Sequence, residues 1–572
     1  MKDATFSSDH LLELYERISD AEDAIPRLRR FVLDLAVRGK LVEQDASDEP
    51  AAEVLKRIAI QKPKGGKKSN LNKGSSFPFT LPVGWSWTTL SEISTRLHYG
   101  YTASADVTLK DVRLLRITDI QDSRVNWEAV PGCAIDEKSL PKYLLEAGDM
   151  LIARTGGTIG KTFLVKEAPL KAVFASYLIR VTPSSELLDQ YIKTFCESGV
   201  YWDQLRDGSR GGGQPNVNGQ TLGKMFVPLP PLAEQHRIVA KVDELMALCD
   251  QLEQARAGRE AVRDRLTTAS LARLTAPETD AETFQSHARF ALQSLPTLTT
   301  RTDQIKTLRQ TILNLAVRGK LVEQDAADEP AAGLLKRIAK GIASKRKEMG
   351  LRPNAAVKPV NADDAPFDLP QGWAWARFPE VGVFARGKSK HRPRNDPTLY
   401  VDGTVPFVQT GDVARSGGVV TTHSSVYNET GLQQSMLWPA GTMCITIAAN
   451  IADSGILTFD ACFPDSVVGL VAASDFENAR FFEYFVRTAK ANLTEFAPAT
   501  AQKNINLGIL EMVLIPLPPL AEQHRIVAKV DELMALCSQL EASLTTTDTT
   551  RSKLLNALLH EALEPVTETA DA

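Results

Sequence analysis

The sequence predicts an α+β chain in which one layout is used twice: a helical block, a mixed and mostly β domain, then a second helical block. Three repeated stretches predict it. Residues 35–59, LAVRGKLVEQDASDEPAAEVLKRIA, return at 315–339 with 22 of 25 positions identical, at an offset of 280. Residues 228–253, PLPPLAEQHRIVAKVDELMALCDQLE, return at 516–541 with 25 of 26 identical, at an offset of 288. LPVGWSW from Leu81 returns as LPQGWAW from Leu369, again offset by 288. The extra eight residues therefore fall in a polar linker ahead of the Gly-Trp stretch. From there to Pro-Leu-Pro-Pro the copies have equal length, yet the roughly 140 residues inside share little sequence. The expectation is one fold carrying two different surfaces.

Residues 11–38 read as helix, with Leu28, Val32 and Leu35 on one face and Leu308, Ile312 and Leu315 as counterparts. Gly39 and Gly319 are natural stops. Short apolar runs at 114–117, 150–153 and 442–447, broken by Gly, Asp and Asn, read as strands. Each variable domain closes with a helical stretch, near 187–206 and 476–493. Pro230-Pro231 and Pro518-Pro519 mark helix starts, and Glu234 and Glu522 sit where the helix dipole favours acid. Ile238, Val242, Leu245, Cys249 and Leu252 recur at 4-3 spacing, as do Ile526, Val530, Leu533, Cys537, Leu540 and Leu544. That seam fits a local antiparallel helix pair better than a long coiled coil, because Arg256 and Arg259 follow Leu252. Packing needs only the apolar positions. Yet Glu234, Gln235, Arg237 and Lys241 are repeated as Glu522, Gln523, Arg525 and Lys529. A partner docking on both copies explains this better than duplication history, which would have kept the variable domains alike as well. His236 and His524 fit a polar helix face.

A chain of 572 residues exceeds one compact core, and length alone suggests three to four domains. With 43% hydrophobic and 24% charged residues, disorder throughout, collagen and a disulfide scaffold are excluded. No run approaches the ~18 apolar residues of a membrane span, and Met1-Lys2-Asp3-Ala4 opens no visible signal peptide. Six scattered cysteines without a Cys-x-x-Cys pair suit a reducing cytosol, so a cytoplasmic location is expected. The net charge of −4 gives no sign of nucleic acid, but it averages −4 over residues 1–60 with +5 over 61–80.

Local motifs say more. Residues 155–162, TGGTIGKT, resemble a phosphate-binding loop, but Thr155 stands where the first glycine belongs and Phe163-Leu164-Val165 reads as strand rather than helix. A β-turn fits better, with a phosphate contact from Lys161 left open. No adenine-methyltransferase loop, no Glu-x-Lys nuclease motif and no metal-ligand spacing is present, so no catalytic residues and no metal site are expected. Basic charge gathers at Lys62, Lys64, Lys67, Lys68 and Lys73, in a counterpart linker at 336–358, and inside the second domain at Arg386, Lys388, Lys390, His391, Arg392 and Arg394. Such clusters can contact several phosphates, although a solvated linker explains the first equally well. At the equivalent place the first domain has His98-Tyr99-Gly100-Tyr101-Thr102, whose aromatic and hydroxyl groups could reach bases or phosphates. The stretch around Arg210, Gln214 and Asn216 aligns with Gln502, Lys503 and Asn504, and Asn218 with Asn506. These amides suit either adenine reading or turn formation.

Taken together, the doubled PLPPLAEQHRIVAKVDEL and LAVRGKLVEQDxxDEPA blocks, LPxGWxW, Arg116-Ile117-Thr118-Asp119-Ile120 with its counterpart Gln409-Thr410-Gly411-Asp412-Val413, the stretch 148–155 and Gln-x-Asn resemble the specificity subunit of type I restriction–modification systems. The likeness covers nearly the whole chain; the turn at 448–455 departs from it. It implies helical regions at 1–60, 231–345 and 518–563 and target recognition domains at 78–230 and 365–517, in a pseudo-two-fold arrangement with long antiparallel helix pairs between them. Each domain would read half of a split, asymmetric double-stranded DNA site. Candidate DNA contacts are Tyr99, Tyr101, Thr102, Arg116, Thr118, Arg154, Lys161, Arg210, Gln214, Asn216, Arg386, Lys388, Lys390, Arg392, Arg394, Gln409, Thr410, Gln502, Lys503 and Asn504. The helices would act as ruler and dock two methyltransferase (modification) subunits through Glu234, Gln235, Arg237, Lys241, Glu522, Gln523, Arg525 and Lys529. A helix of about 27 residues spans ~40 Å, against ~34 Å for half-sites one turn apart. The resemblance also implies that this chain is not an enzyme and binds no cofactor or membrane. S-adenosylmethionine, ATP and magnesium would sit on the modification and restriction/translocase subunits. Two other readings stay open: a scaffold that binds no DNA and presents two equivalent docking helices, and a phosphotransferase centred on Lys161.

Overall fold

A computed structural model describes residues 7–18, 21, 23–62, 77–121, 124–168, 170–208, 217–276, 280–353, 360, 365–448, 452–476, 479–491 and 506–563. The chain forms two compact units, Met1–Arg259 with Thr547–Ala572, and Glu260–Thr546. No helix among the described residues is long and apolar enough to cross a membrane.

In the first unit the helix Ala24–Val37 buries Leu28, Val32 and Leu35 and ends where Gly39 takes φ +69. The helix that starts after Pro230-Pro231 runs from Leu232 to Thr275 as one piece. Its seam residues Ile238, Val242, Leu245 and Cys249 are buried in the unit's main core. Arg29 pairs with Asp250 and Glu253, while Gln44 reaches back to Glu234, so these two helices run antiparallel. Arg256, expected to end the seam, donates to the Ala21 carbonyl at 2.8 Å and the helix continues. The last part of the helix Leu520–Leu563 also belongs to this unit: Leu555 is buried in its core, and Arg27 and Lys40 bond to Ser552 and to the Leu563 carbonyl. In the second unit the helix Thr302–Val317 takes the place of Ala24–Val37, and Lys320 bonds the Ala276 carbonyl.

Between the helices lies a β domain in each unit. The first has a four-stranded antiparallel sheet in the order Ser94–Tyr99, Leu178–Pro183, Met150–Ala153, Thr162–Leu164. The second has the same order, Gly382–Arg386, Val467–Ala472, Met443–Thr446, Ser454–Leu457, with Val419–Val420 added at the edge and a second four-stranded sheet beside it. Each domain is closed by its own ends: Ser86–Thr89 pairs antiparallel with Phe226–Leu229, and Ala374–Ala376 with Ile515–Leu517. The stretch 187–206 divides into the helices Asp189–Glu197 and Gly199–Gly208, while its counterpart is the helix Arg480–Ala491.

One expectation is corrected. The stretch 336–358 is not a plain linker: Ala331–Glu348 is a helix, because Leu334, Ile338 and Ile342 recur at helical spacing and are buried, while Lys336, Arg337, Lys340, Lys345 and Lys347 are exposed. Lys64, Lys67, Lys68, Lys73 and Lys358 lie outside the described residues.

Two glycines test this account. Gly39→Ala would force φ +69 on a residue with a Cβ placed 2.4 Å from Pro82, and is expected to lower stability by more than about 1 kcal/mol. Gly258→Ala, within the long helix and with nothing inside 4 Å, should raise it by about 0.5–1 kcal/mol. Thermal unfolding that moves both variants the same way would refute the reading.

Candidate nucleic-acid interface

The repeated blocks meet. Trp85, from the Gly-Trp stretch, donates its Nε1 to a carboxylate oxygen of Glu234 at 3.0 Å, and Gln44, from the first block, donates to the other at 3.2 Å. Trp373 and Gln324 hold Glu522 in the same way, both at 3.0 Å. Beside each, Arg237 pairs with Asp48 and Arg525 with Asp328, both at 2.7 Å. Gln235 bonds the Pro230 carbonyl and accepts from the Leu188 amide, both at 3.0 Å, and Gln523 bonds the Pro518 carbonyl at 2.9 Å. Glu234, Gln235, Glu522 and Gln523 are all at most 3% exposed. The docking role expected for these four is therefore corrected: a buried amide or carboxylate already engaged inside its own unit has no surface to offer. Lys241 and Lys529 pair with Glu244 and Glu532 one helical turn on, at 2.9 Å, and stay half-exposed. This bracket fixes both ends of each β domain, since Trp85 precedes the strand Ser86–Thr89 and Phe226–Leu229 leads into the helix carrying Glu234.

In the first domain Tyr99 ends its strand and is 39% exposed. The Arg154 guanidinium lies 4.7 Å above its ring, and the Tyr99 hydroxyl accepts from the Gly219 amide at 2.9 Å. Beyond the strand Tyr101 bridges Ala175, its amide bonding the Phe174 carbonyl at 2.7 Å, and its ring is 5.2 Å from Tyr143; Thr102 is exposed. Under this strand the buried Arg180 holds Asp149 and His98 Nε2, each at 3.0 Å. Burial, reinforced by the Arg180 charge, pulls His98 below its ordinary value. Thr118 and Lys161 come together on a cleft of about 500 Å³ that Gln121, Thr158 and Trp202 also line. Gly156–Thr158 is a turn joining two antiparallel strands, so the loop carrying Lys161 has no phosphate-loop geometry. Arg116 is engaged: its guanidinium grips Asp119 through two bonds at 3.0 and 2.7 Å, while Asp119 also accepts the Arg116 amide.

In the second domain Arg386, Lys388 and Lys390 are exposed, alternating with buried Gly387 and Ser389. Arg392 and Arg394 both approach Asp465, and His391 bonds Asp396 at 2.9 Å. Gln409 occupies the place of Arg116, its amide bonding Asp412, and its side chain reaches Ser425 at 2.9 Å; Thr410 opens the short helix Thr410–Arg415. Arg210, Gln214, Asn216, Gln502, Lys503 and Asn504 lie outside the described residues. Next to them, Asn218 and Asn506 cap short helices, accepting amides at 2.8 and 3.0 Å. Among the described residues no cluster of His, Cys, Asp and Glu is placed to hold a metal ion. Sequence reasoning missed Trp85, Trp373, Asp48 and Asp328; the signal available was their presence inside repeated blocks.

The type I restriction modification DNA specificity domain matches residues 135–258 and 370–547, more than half of the chain. The chain belongs to this family. Among its relatives, the EcoEI specificity subunit of a type I restriction enzyme from Escherichia coli is 30% identical, and the EcoAI specificity subunit from the same organism 29%. Each alignment covers 94% of both chains. A crystal structure of an HsdS subunit from Thermoanaerobacter tengcongensis aligns with 85% of this chain and 98% of its own, at 20% identity and a TM-score of 0.42. As a member of this specificity family, the chain is not the catalytic component.

Burial raises the Glu234 and Glu522 carboxyls above their ordinary 4.5, against the hydrogen bonds and the arginine charges that lower them. A raised carboxyl means that the folded chain keeps a proton the unfolded chain releases. Its stability contribution is full below 4.5 and is lost as pH rises through the folded value. Glu234→Gln should therefore reduce the fall in unfolding temperature above pH 4.5; an unchanged pH profile would refute this. Trp85→Phe, which removes a donor from a buried acceptor, should cost about 1–3 kcal/mol.

Proposed function

We propose that this specificity subunit recognises a split, asymmetric double-stranded DNA site, one half with the domain at 78–230 and the other with that at 365–517. The observation that carries the reading is one bracket and one sheet order used twice, with unlike side chains where equivalent strands end: Tyr99-Gly100-Tyr101 in one, Arg386-Gly387-Lys388 in the other. A scaffold for equivalent partners would have no use for that contrast. The two domains are taken to be related by a pseudo-two-fold arrangement that suits two half-sites. Candidate contacts beyond the strand ends are Thr102, Thr118, Lys161, Gln409 and Thr410, with Arg210, Gln214, Asn216, Gln502, Lys503 and Asn504 from sequence alone.

The repeated helices dock two modification subunits, on the side where Lys241 and Glu244, and Lys529 and Glu532, stay accessible. Those subunits supply S-adenosylmethionine and adenine methylation. Restriction/translocase subunits supply ATP and magnesium chemistry in the cytoplasm. This chain needs no cofactor of its own, because its task is selection: the difference in binding free energy between one sequence and its competitors.

A domain exchange tests the reading. Replacing residues 81–227 with those of another such subunit, then mapping methylated adenines produced by the complex, should change one half of the methylated sequence and leave the other. A methylated sequence that is unchanged, or altered in both halves, would count against it.

A further inference from the structure

We infer that the equivalent strand ends of the two domains contribute different chemistry: Arg154, held over Tyr99, reads a base edge in one half-site, while Arg386, Lys388 and Lys390 hold phosphates in the other. This rests on the DNA-recognition reading above and goes beyond it in assigning unlike contact types to the two halves.

Equivalence of place comes first. Both strand ends pass through a glycine pressed against a neighbouring backbone. A Cβ on Gly100 would lie 2.2 Å from the Ala175 carbonyl oxygen, and one on Gly387 2.4 Å from that of Pro464. Tyr99 faces Ile179 across the sheet and Arg386 faces Val468, on corresponding strands. The two segments are the same structural feature with different side chains.

The cations around them then sort by partner. In the first domain Arg116 is closed on Asp119 and Arg180 on Asp149. Arg154 has no acceptor among the described residues, and its Nε is buried with no hydrogen-bond partner. Its guanidinium carbon lies 4.7 Å over the ring of Tyr99, itself pinned through its hydroxyl to the Gly219 amide. A guanidinium held against a fixed ring, with no carboxylate to satisfy it, is prepared to donate two parallel bonds. The guanine edge with its paired O6 and N7 acceptors takes such a pair in the major groove.

In the second domain no ring or carboxylate among the described residues fixes the cations of the strand end. Arg386, Lys388 and Lys390 alternate with buried Gly387 and Ser389, so the three face out to the same side. None has an ion-pair partner among the described residues, whereas Arg392 and Arg394 share Asp465. The ridge is firm in its backbone, since Gln434 accepts the Lys390 and His391 amides at 2.6 and 3.0 Å. Two of its three heads are ammonium groups on flexible stems, which bind phosphate as point charges and carry no sequence information.

The test uses the full chain in complex with its modification subunits, on duplex DNA carrying the site, with affinity measured across salt and methylated sequences mapped. The triple variant Arg386→Gln, Lys388→Gln, Lys390→Gln should lower the slope of log affinity against log salt by roughly 2–3, at about 0.9 per lost phosphate contact. Its methylated sequence should stay the same. Arg154→Lys keeps the charge and loses the fork. It should leave the slope alone and reduce preference at one base pair by roughly 10- to 100-fold. Tyr99→Leu, which keeps Arg154, should weaken preference at that same base pair. An unchanged slope in the triple variant overturns the inference, as does relaxed sequence preference there, or an Arg154→Lys complex with full preference. A wild-type complex that methylates without sequence preference would instead overturn the recognition reading itself.

Discussion

The buried carboxylate at the start of each long helix is the contact on which the remaining architecture depends. Removing a carboxylate from water is costly unless donors replace the water. Here the two donors and the carboxylate come from three stretches far apart in sequence: Gln44 and Trp85 close on Glu234, and Gln324 and Trp373 on Glu522. Only one arrangement of helix, turn and strand brings all three together, so the bracket sets how a β domain is attached. Losing any donor would leave part of a charge unsatisfied in the interior. That accounts for two blocks repeated almost unchanged while the sequence between them has drifted apart.

A frame fixed in this way frees the surface it carries. Both domains keep the same order of four strands, yet only glycine is common to the ends of their equivalent first strands. Gly100 and Gly387 are held by the neighbouring backbone, which leaves no room for a Cβ. On either side Tyr99, Arg386 and Lys388 reach solvent, while Tyr101 leans partly on the core. Specificity can change at these positions without disturbing the core, because a strand alternates its side chains between the two faces.

The repeat, the helix starts at Pro230-Pro231 and Pro518-Pro519 and the stops at Gly39 and Gly319 were legible because each depends on local chemistry. The burial of Glu234 and Gln235 was not. A polar stretch in a first helical turn has the same sequence signature whether it faces water or a tryptophan 149 residues away. The pairing of Arg116 was equally opaque: its type suggests a DNA contact, and only the fold shows that Asp119 three residues on pairs with it. The basic run in Ala331–Glu348 misled for the opposite reason, since its charges obscured Leu334, Ile338 and Ile342 at helical spacing. In each case the missing information was which partner the fold supplies, and composition does not encode it.

The same principle resolves the near-neutral charge. With 66 basic and 70 acidic residues, the total says nothing about where an anionic ligand would rest. A cation already closed on a carboxylate must break that pair before it can meet a phosphate, so it adds little to counterion release. Arg116, Arg237, Arg394 and Arg525 are in that position. Arg154, Arg386, Lys388 and Lys390 are not, and all four lie at or beside the strand ends where the two domains differ most. In the DNA-recognition reading, what governs affinity is which cations stand unpaired at the strand ends, and a total charge near zero does not weaken them.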